Sequence, residues 1–135
     1  MFWLSHHPPD ELDRCYRVGA WHVCARCLGT YPVLFAVLAS QFALRAPLSW
    51  AWDVPVGLAL IAPATADWAY GRFQPHRFSN AWRTFTGALL GLGLGRSLFI
   101  HLQKPFPTVL IAQLLGVTAV ALPVILATYR RGRQG

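Results

Sequence analysis

Residues 106–129 read FPTVLIAQLLGVTAVALPVILATY, a run in which no side chain carries a formal charge. A helix rises about 1.5 Å per residue, so a run of this length reaches across the roughly 30 Å of hydrocarbon in a bilayer. A soluble protein would need polar surface elsewhere to cover such a helix, and the chain has little: of 135 residues, 55% are hydrophobic and 13% are charged. Three more apolar stretches of near-spanning length occupy residues 28–44, 50–68 and 82–100. The expectation is an all-α integral membrane bundle of about four transmembrane helices behind a short N-terminal segment bearing Cys and His. Residues 1–27 are then a cytoplasmic N-terminal segment, 28–129 the transmembrane domain and 130–135 a basic cytoplasmic tail.

The formal charge of +7 raises the question of nucleic acid, but the basic residues stand at the ends of apolar segments and not in a run with interleaved aromatics. No nucleic-acid partner is expected; the basic excess reads as topology. Arg14, Arg17, Arg26, Arg72, Arg77, Arg83, Arg130, Arg131 and Arg133 fall on one side of a four-span arrangement, against Arg45, Arg96 and Lys104 on the other. Cytoplasmic flanks carry the Lys and Arg excess, so both termini are expected in the cytoplasm, with the chain in the inner membrane. Trp50, Trp52, Trp68, Trp82 and Tyr129 stand at segment ends, where an amphipathic ring sits well at headgroup level. Asp53, Arg96 and His101 read as interfacial anchors on the outer side. The first thirteen residues combine His6, His7, Pro8 and Pro9 with acids and lack the basic and apolar regions of a cleavable signal.

Gly87, Gly91 and Gly95 recur every four residues, on one face of a helix, where a neighbouring backbone can come close. This seam suits a joint within the chain or between copies in a homo-oligomer.

The strongest chemical signal is that all three cysteines, Cys15, Cys24 and Cys27, fall close together with His22 among them and His6 and His7 upstream. The Cys24-Ala25-Arg26-Cys27 spacing lets two thiolates turn onto one ion, and Cys15 with a histidine completes a tetrahedral three-cysteine, one-histidine shell that fits zinc. The expected ligands are Cys15, His22, Cys24 and Cys27. On the cytoplasmic face a stable disulfide is disfavoured. A redox pair is the competing reading, because a Cys-x-x-Cys at a helix start gains thiolate character from the helix dipole and from Arg26. The third reading treats the three as small half-buried residues at a membrane entry.

A second polar group lies between the second and third spans: Asp67, then Arg77, Ser79, Asn80 and Arg83. Ser79 or Asn80 is a natural N-cap, and the free amides of that first turn with Arg77 and Arg83 suit a phosphate or an anionic lipid headgroup. The bland reading has the arginines snorkelling toward phospholipid and Asp67 paired with Arg83.

The run Val23-Cys24-Ala25-Arg26-Cys27-Leu28-Gly29-Thr30-Tyr31, followed by Asp67, Ser79-Asn80, Arg83 and Thr86-Gly87, resembles the small bacterial and archaeal membrane proteins of domain-of-unknown-function family 2085. The resemblance implies a multi-pass membrane protein and brings no activity with it. It groups Arg26 and Tyr31 with Asp67, Ser79, Asn80 and Arg83 as candidate ligand-binding residues. Longer versions carry a cysteine-histidine pair before the signature, whereas here Cys15 precedes Tyr16, so the histidine that completes a metal shell stays open.

The leading expectation is therefore a cytoplasmic-face zinc-type site beside an Asp/Asn/Arg pocket for an anionic ligand or headgroup, the metal being structural because four protein ligands leave no position for water. Two enzymatic alternatives remain. One is a membrane thiol-disulfide oxidoreductase using the Cys-x-x-Cys pair. The other is a lipid-phosphate enzyme with Asp67 as base or metal ligand and Arg83 as phosphate clamp.

Overall fold

A computed structural model describes residues 9–74 and 78–132. His6, His7 and Arg77 lie outside the described residues, as do the side chain of Arg131 and residue Arg133. A short 3-10 turn, Pro9–Arg14, leads into a two-stranded antiparallel hairpin of β1 (Cys15–Val18) and β2 (Trp21–Cys24). Four helices follow: α1 (Ala25–Ala43), α2 (Asp53–Phe73), α3 (Asn80–Gln103) and α4 (Thr108–Gly132).

The helices agree in number with the four apolar stretches; the hairpin is a departure from the all-α expectation. Its loop is Gly19-Ala20, with Gly19 at φ 61°, the left-handed region that primed two-residue turns demand. Four-residue strands with only their cysteine ends buried carry too short an alternation to register as strands in the sequence.

The helices pack in the lateral order α1, α3, α2, α4. Gly87 and Gly91 face the backbone of Arg26 and Thr30 on α1, and Gly95 faces Leu34; a methyl at Gly95 would stand 3.0 Å from the Leu34 carbonyl oxygen. The opposed Gly29 sits under the Thr84 carbonyl. The glycine face is thus filled by α1 of the same chain, which removes it as the joint between copies.

Polar groups line the interior of this bundle while large apolar side chains cover its outside. Thr30, Asp53, Asp67, Arg83, Thr86, Ser97 and Gln113 are buried, whereas Phe35, Phe85, Ile111, Leu114, Leu115, Leu122 and Leu126 are exposed. Water as solvent would penalise that arrangement and lipid favours it. Two helices, α3 and α4, combine the length and apolarity needed to cross a membrane. α2 is nearly as long but carries Asp53, Asp67 and Arg72.

The apolar core proper, Phe99, Ile100 and Val109 with Leu38, Ala46 and Val54 against it, sits at the end away from the hairpin. There Arg96 donates to Asp53 (Nε–Oδ1 2.8 Å, Nη2–Oδ2 3.0 Å) and to Gln41 Oε1 at 2.9 Å. Asp53 and Arg96 are therefore each other's partners, tying α2 to α3. The reason is geometric: the start of α2 lies beside the last turns of α3, and a bidentate carboxylate–guanidinium pair is worth more than two solvated ends. His101 accepts a hydrogen bond at Nδ1 from the Phe106 amide at 3.0 Å, which fixes the turn into α4.

Candidate functional site

The hairpin end of the bundle holds nearly every chemistry-bearing residue singled out in the sequence. Cys15 and Cys24 face each other across the base of the hairpin. Counting outward from the two-residue loop, Val18 and Trp21 form the closing hydrogen-bonded pair, so Cys15 and Cys24 occupy a non-hydrogen-bonded position, where Cα atoms approach to about 4.5 Å. By strand alternation His22 lies on the same face as Cys24, opposite Arg17. Cys27 comes from the first turn of α1 and shares a thiol–thiol hydrogen bond with Cys24.

All three thiols are free of disulfides, Cys15 and Cys24 buried and Cys27 partly so. Burial, the bond to Cys24 and the neighbouring thiols push the Cys27 thiol up to about 11, against a smaller opposing pull from Arg26. The thiolate character expected from the helix start and from Arg26 is outweighed at this position by desolvation. Among the described residues, no group of three or more His, Cys, Asp or Glu side chains is arranged to hold a metal ion.

Side chains on α3 fasten the hairpin to the bundle. The Asn80 amide donates to the carbonyl oxygens of Asp13 (3.0 Å) and Cys15 (3.3 Å). The Thr84 hydroxyl lies 3.0 Å from the Ala25 carbonyl, 2.9 Å from that of Asn80 and 3.2 Å from the Tyr16 hydroxyl, so one of the carbonyls takes its proton while Tyr16 can donate to its oxygen. Ser79 is the N-cap of α3, its hydroxyl accepting from the Trp82 amide at 3.2 Å. Of the two residues proposed for the cap, then, Ser79 performs it and Asn80 works outward to the hairpin. Tyr70, Phe78, Trp82 and Phe85 form a chain of ring contacts with centroids 5.7–6.4 Å apart at the same end.

Asp67 is buried near the end of α2, its side chain 1% exposed, and its Oδ2 accepts from Nη2 of Arg26. The sequence made Arg83 the natural partner; the close α1–α3 seam sets Arg26 against the carboxylate as well, with the Asp67 charge also acting on Arg83. Arg83 is buried one helical turn before Gly87, and the charges acting on it are those of Arg14, Asp67, Arg26 and Asp13. Arg14 had counted only toward topology. Its place immediately before Cys15, like that of Arg26 between Cys24 and Cys27, was the available signal. Among the described residues, buried Oδ1 of Asp67 and Nε of Arg26 have no hydrogen-bond partner. Tyr31 is exposed on α1.

A family model described as "Predicted membrane protein (DUF2085)" matches residues 13–97. No curated protein and no solved structure matches the chain. The matched stretch runs from the hairpin through α1 and α2 into α3, taking in the three cysteines, Asp67 and Arg83. Covering more than half of the sequence, this match makes the chain a member of that family of predicted membrane proteins.

Proposed function

We propose that this is a four-span protein of the cytoplasmic membrane, both termini inside, with a structural zinc-type centre at its cysteine-bearing end beside a site for an anionic ligand. The observation that carries the metal reading is the register of the hairpin: it pairs Cys15 with Cys24 directly, while the helix start brings Cys27 onto Cys24. Zinc binding would displace the thiol protons, and small side-chain rotations would gather the sulfurs, with His22 as the nearest imidazole on the same face. A closed shell of this kind would clamp the hairpin to α1, and with it Arg14 and Arg26, the two arginines that flank cysteines. The anionic reading rests on the arginines grouped around buried Asp67.

Elemental analysis of detergent-purified protein, never exposed to chelator or an affinity metal, tests the centre against Cys24→Ser and His22→Ala. About one zinc per chain, lost in Cys24→Ser, is the expected result. Absence of metal, together with thiols that cycle rapidly to a disulfide, would sink the zinc reading and favour the thiol oxidoreductase, whose support is the close cross-strand Cys15–Cys24 pair. The lipid-phosphate enzyme has thinner support, since Asp67 is committed to Arg26. Reporter fusions after Gly135 test the orientation.

A further inference from the structure

The Arg26–Asp67 pair leaves two further buried polar atoms unanswered among the described residues. Asp67 Oδ1 is an acceptor with no donor there, and Arg26 Nε is a donor with no acceptor. The fold also crowds guanidinium groups here for reasons independent of that pair. The glycine seam brings Arg26 to within a turn of Arg83, because the Arg26 carbonyl rests on Gly87. Asn80, by holding the Cys15 carbonyl, sets Arg14 at the start of α3.

A ligand that answers both orphan atoms must carry negative charge for the arginines and at least one O–H for the carboxylate. A phosphodiester, sulfate or chloride meets the first demand and sets a bare acceptor against Asp67 Oδ1. A phosphate group with one proton left meets both: its oxygens take the guanidinium donors and its hydroxyl donates to Asp67. We infer that Arg26 and Asp67, with Arg14 and Arg83 around them, bind a phosphate group that retains an O–H, either hydrogen phosphate or the singly protonated end of a phosphomonoester. This rests on the proposed anionic-ligand reading and narrows it. A monoester loses its last proton near pH 6, whereas inorganic phosphate keeps one at neutral pH, so the site selects the protonated form. Asp67 then acts as the discriminating group, rejecting fully ionised oxyanions by acceptor–acceptor repulsion.

Titration calorimetry on the full chain in detergent, with inorganic phosphate and with sulfate as probes, tests this. The native chain is expected to bind phosphate at least about tenfold more tightly than sulfate, the loss that follows from one unmade charged hydrogen bond. Asp67→Asn, whose amide can donate to either ion, is expected to bring sulfate close to phosphate. Arg26→Gln is expected to weaken both. The comparison of the two ions needs no variant, so it stands if Asp67→Asn folds poorly. Equal binding of the two ions to the native chain overturns the inference and leaves the anion site intact. No binding of either, with helical circular dichroism preserved, overturns both. Repeating the phosphate titration in nanodiscs separates the sources: competition by phosphatidic acid but not phosphatidylglycerol assigns the group to a lipid headgroup, and indifference to both lipids assigns it to soluble phosphate.

Discussion

Arg96 and Asp53 meet through two parallel hydrogen bonds, 2.8 and 3.0 Å, at the end of the bundle opposite the cysteines. A third bond from Arg96 reaches Gln41, so one guanidinium joins α1, α2 and α3. Among the described residues, no orphaned buried side-chain atom lies at this end like those around Asp67, and the contrast separates a satisfied tie from a site. Removing one partner of a mostly buried pair leaves the other charge uncompensated. Asp53→Asn or Arg96→Met alone should destabilise the protein by about 3–5 kcal/mol, and the double variant by less than the sum. Thermal unfolding in detergent measures it; additive single effects would show that the two do not act as a pair.

The seam between α1 and α3 predicts opposite outcomes for chemically identical changes. A methyl at Gly29 runs into the Thr84 backbone, whereas one at Gly71 meets nothing within 4 Å. Gly29→Ala should cost about 1–3 kcal/mol through forced separation of the helices. Gly71→Ala, inside α2, should be neutral or stabilising by up to about 1 kcal/mol. Parallel melting curves decide the matter, and a harmless Gly29→Ala would mean the helices are not in backbone contact.

Asn80 is the peg that holds the hairpin. Asn80→Ala removes both bonds to the Asp13 and Cys15 carbonyls, and Cys15, 7% exposed, should then open more often. A loss of about 1–2 kcal/mol in local closure corresponds to roughly a five- to thirtyfold faster reaction of Cys15 with maleimide, read by mass spectrometry in a Cys24→Ser, Cys27→Ser background. An unchanged rate would place the restraint elsewhere, on Thr84 and Tyr16.

Gln113 bridges α4 to the rest of the bundle, accepting from the Ser97 hydroxyl at 2.7 Å and donating to the Gly57 carbonyl at 3.2 Å. Gln113→Leu removes both interhelical bonds but leaves Ser97 its Gly93 carbonyl at 2.9 Å and Gly57 its place in the α2 ladder, so the cost should be about 1–2 kcal/mol. Adding Ser97→Ala should then change little further. Unfolding in detergent with and without the second change measures this; a large recovery would show that Ser97 cannot turn to Gly93.

The number and extent of the helices were legible because they depend on local properties: apolar length, the N-cap at Ser79 and the aromatic flanks. The hairpin was not, since four-residue strands draw their stability from docking onto α3, which no local window contains. Among site residues, the spacing Cys24-x-x-Cys27 and the isolated Asp67 were visible at once. Partner choice was not. Arg26 reaches Asp67 because Gly29, Gly87 and Gly91 let α1 sink against α3, and the depth of that approach is a property of two helices together.

By itself, then, the sequence determined a helical membrane chain with its cysteines and most of its arginines at one end, because bilayer solvation acts on each segment through composition and length alone. Only the tertiary structure decided that Cys15 faces Cys24, that Asn80 pins the hairpin, that Arg26 meets Asp67, and that Arg14, Arg26 and Asp67 act on Arg83. Those pairings depend on register and on interhelical distance, which arise when separated segments meet.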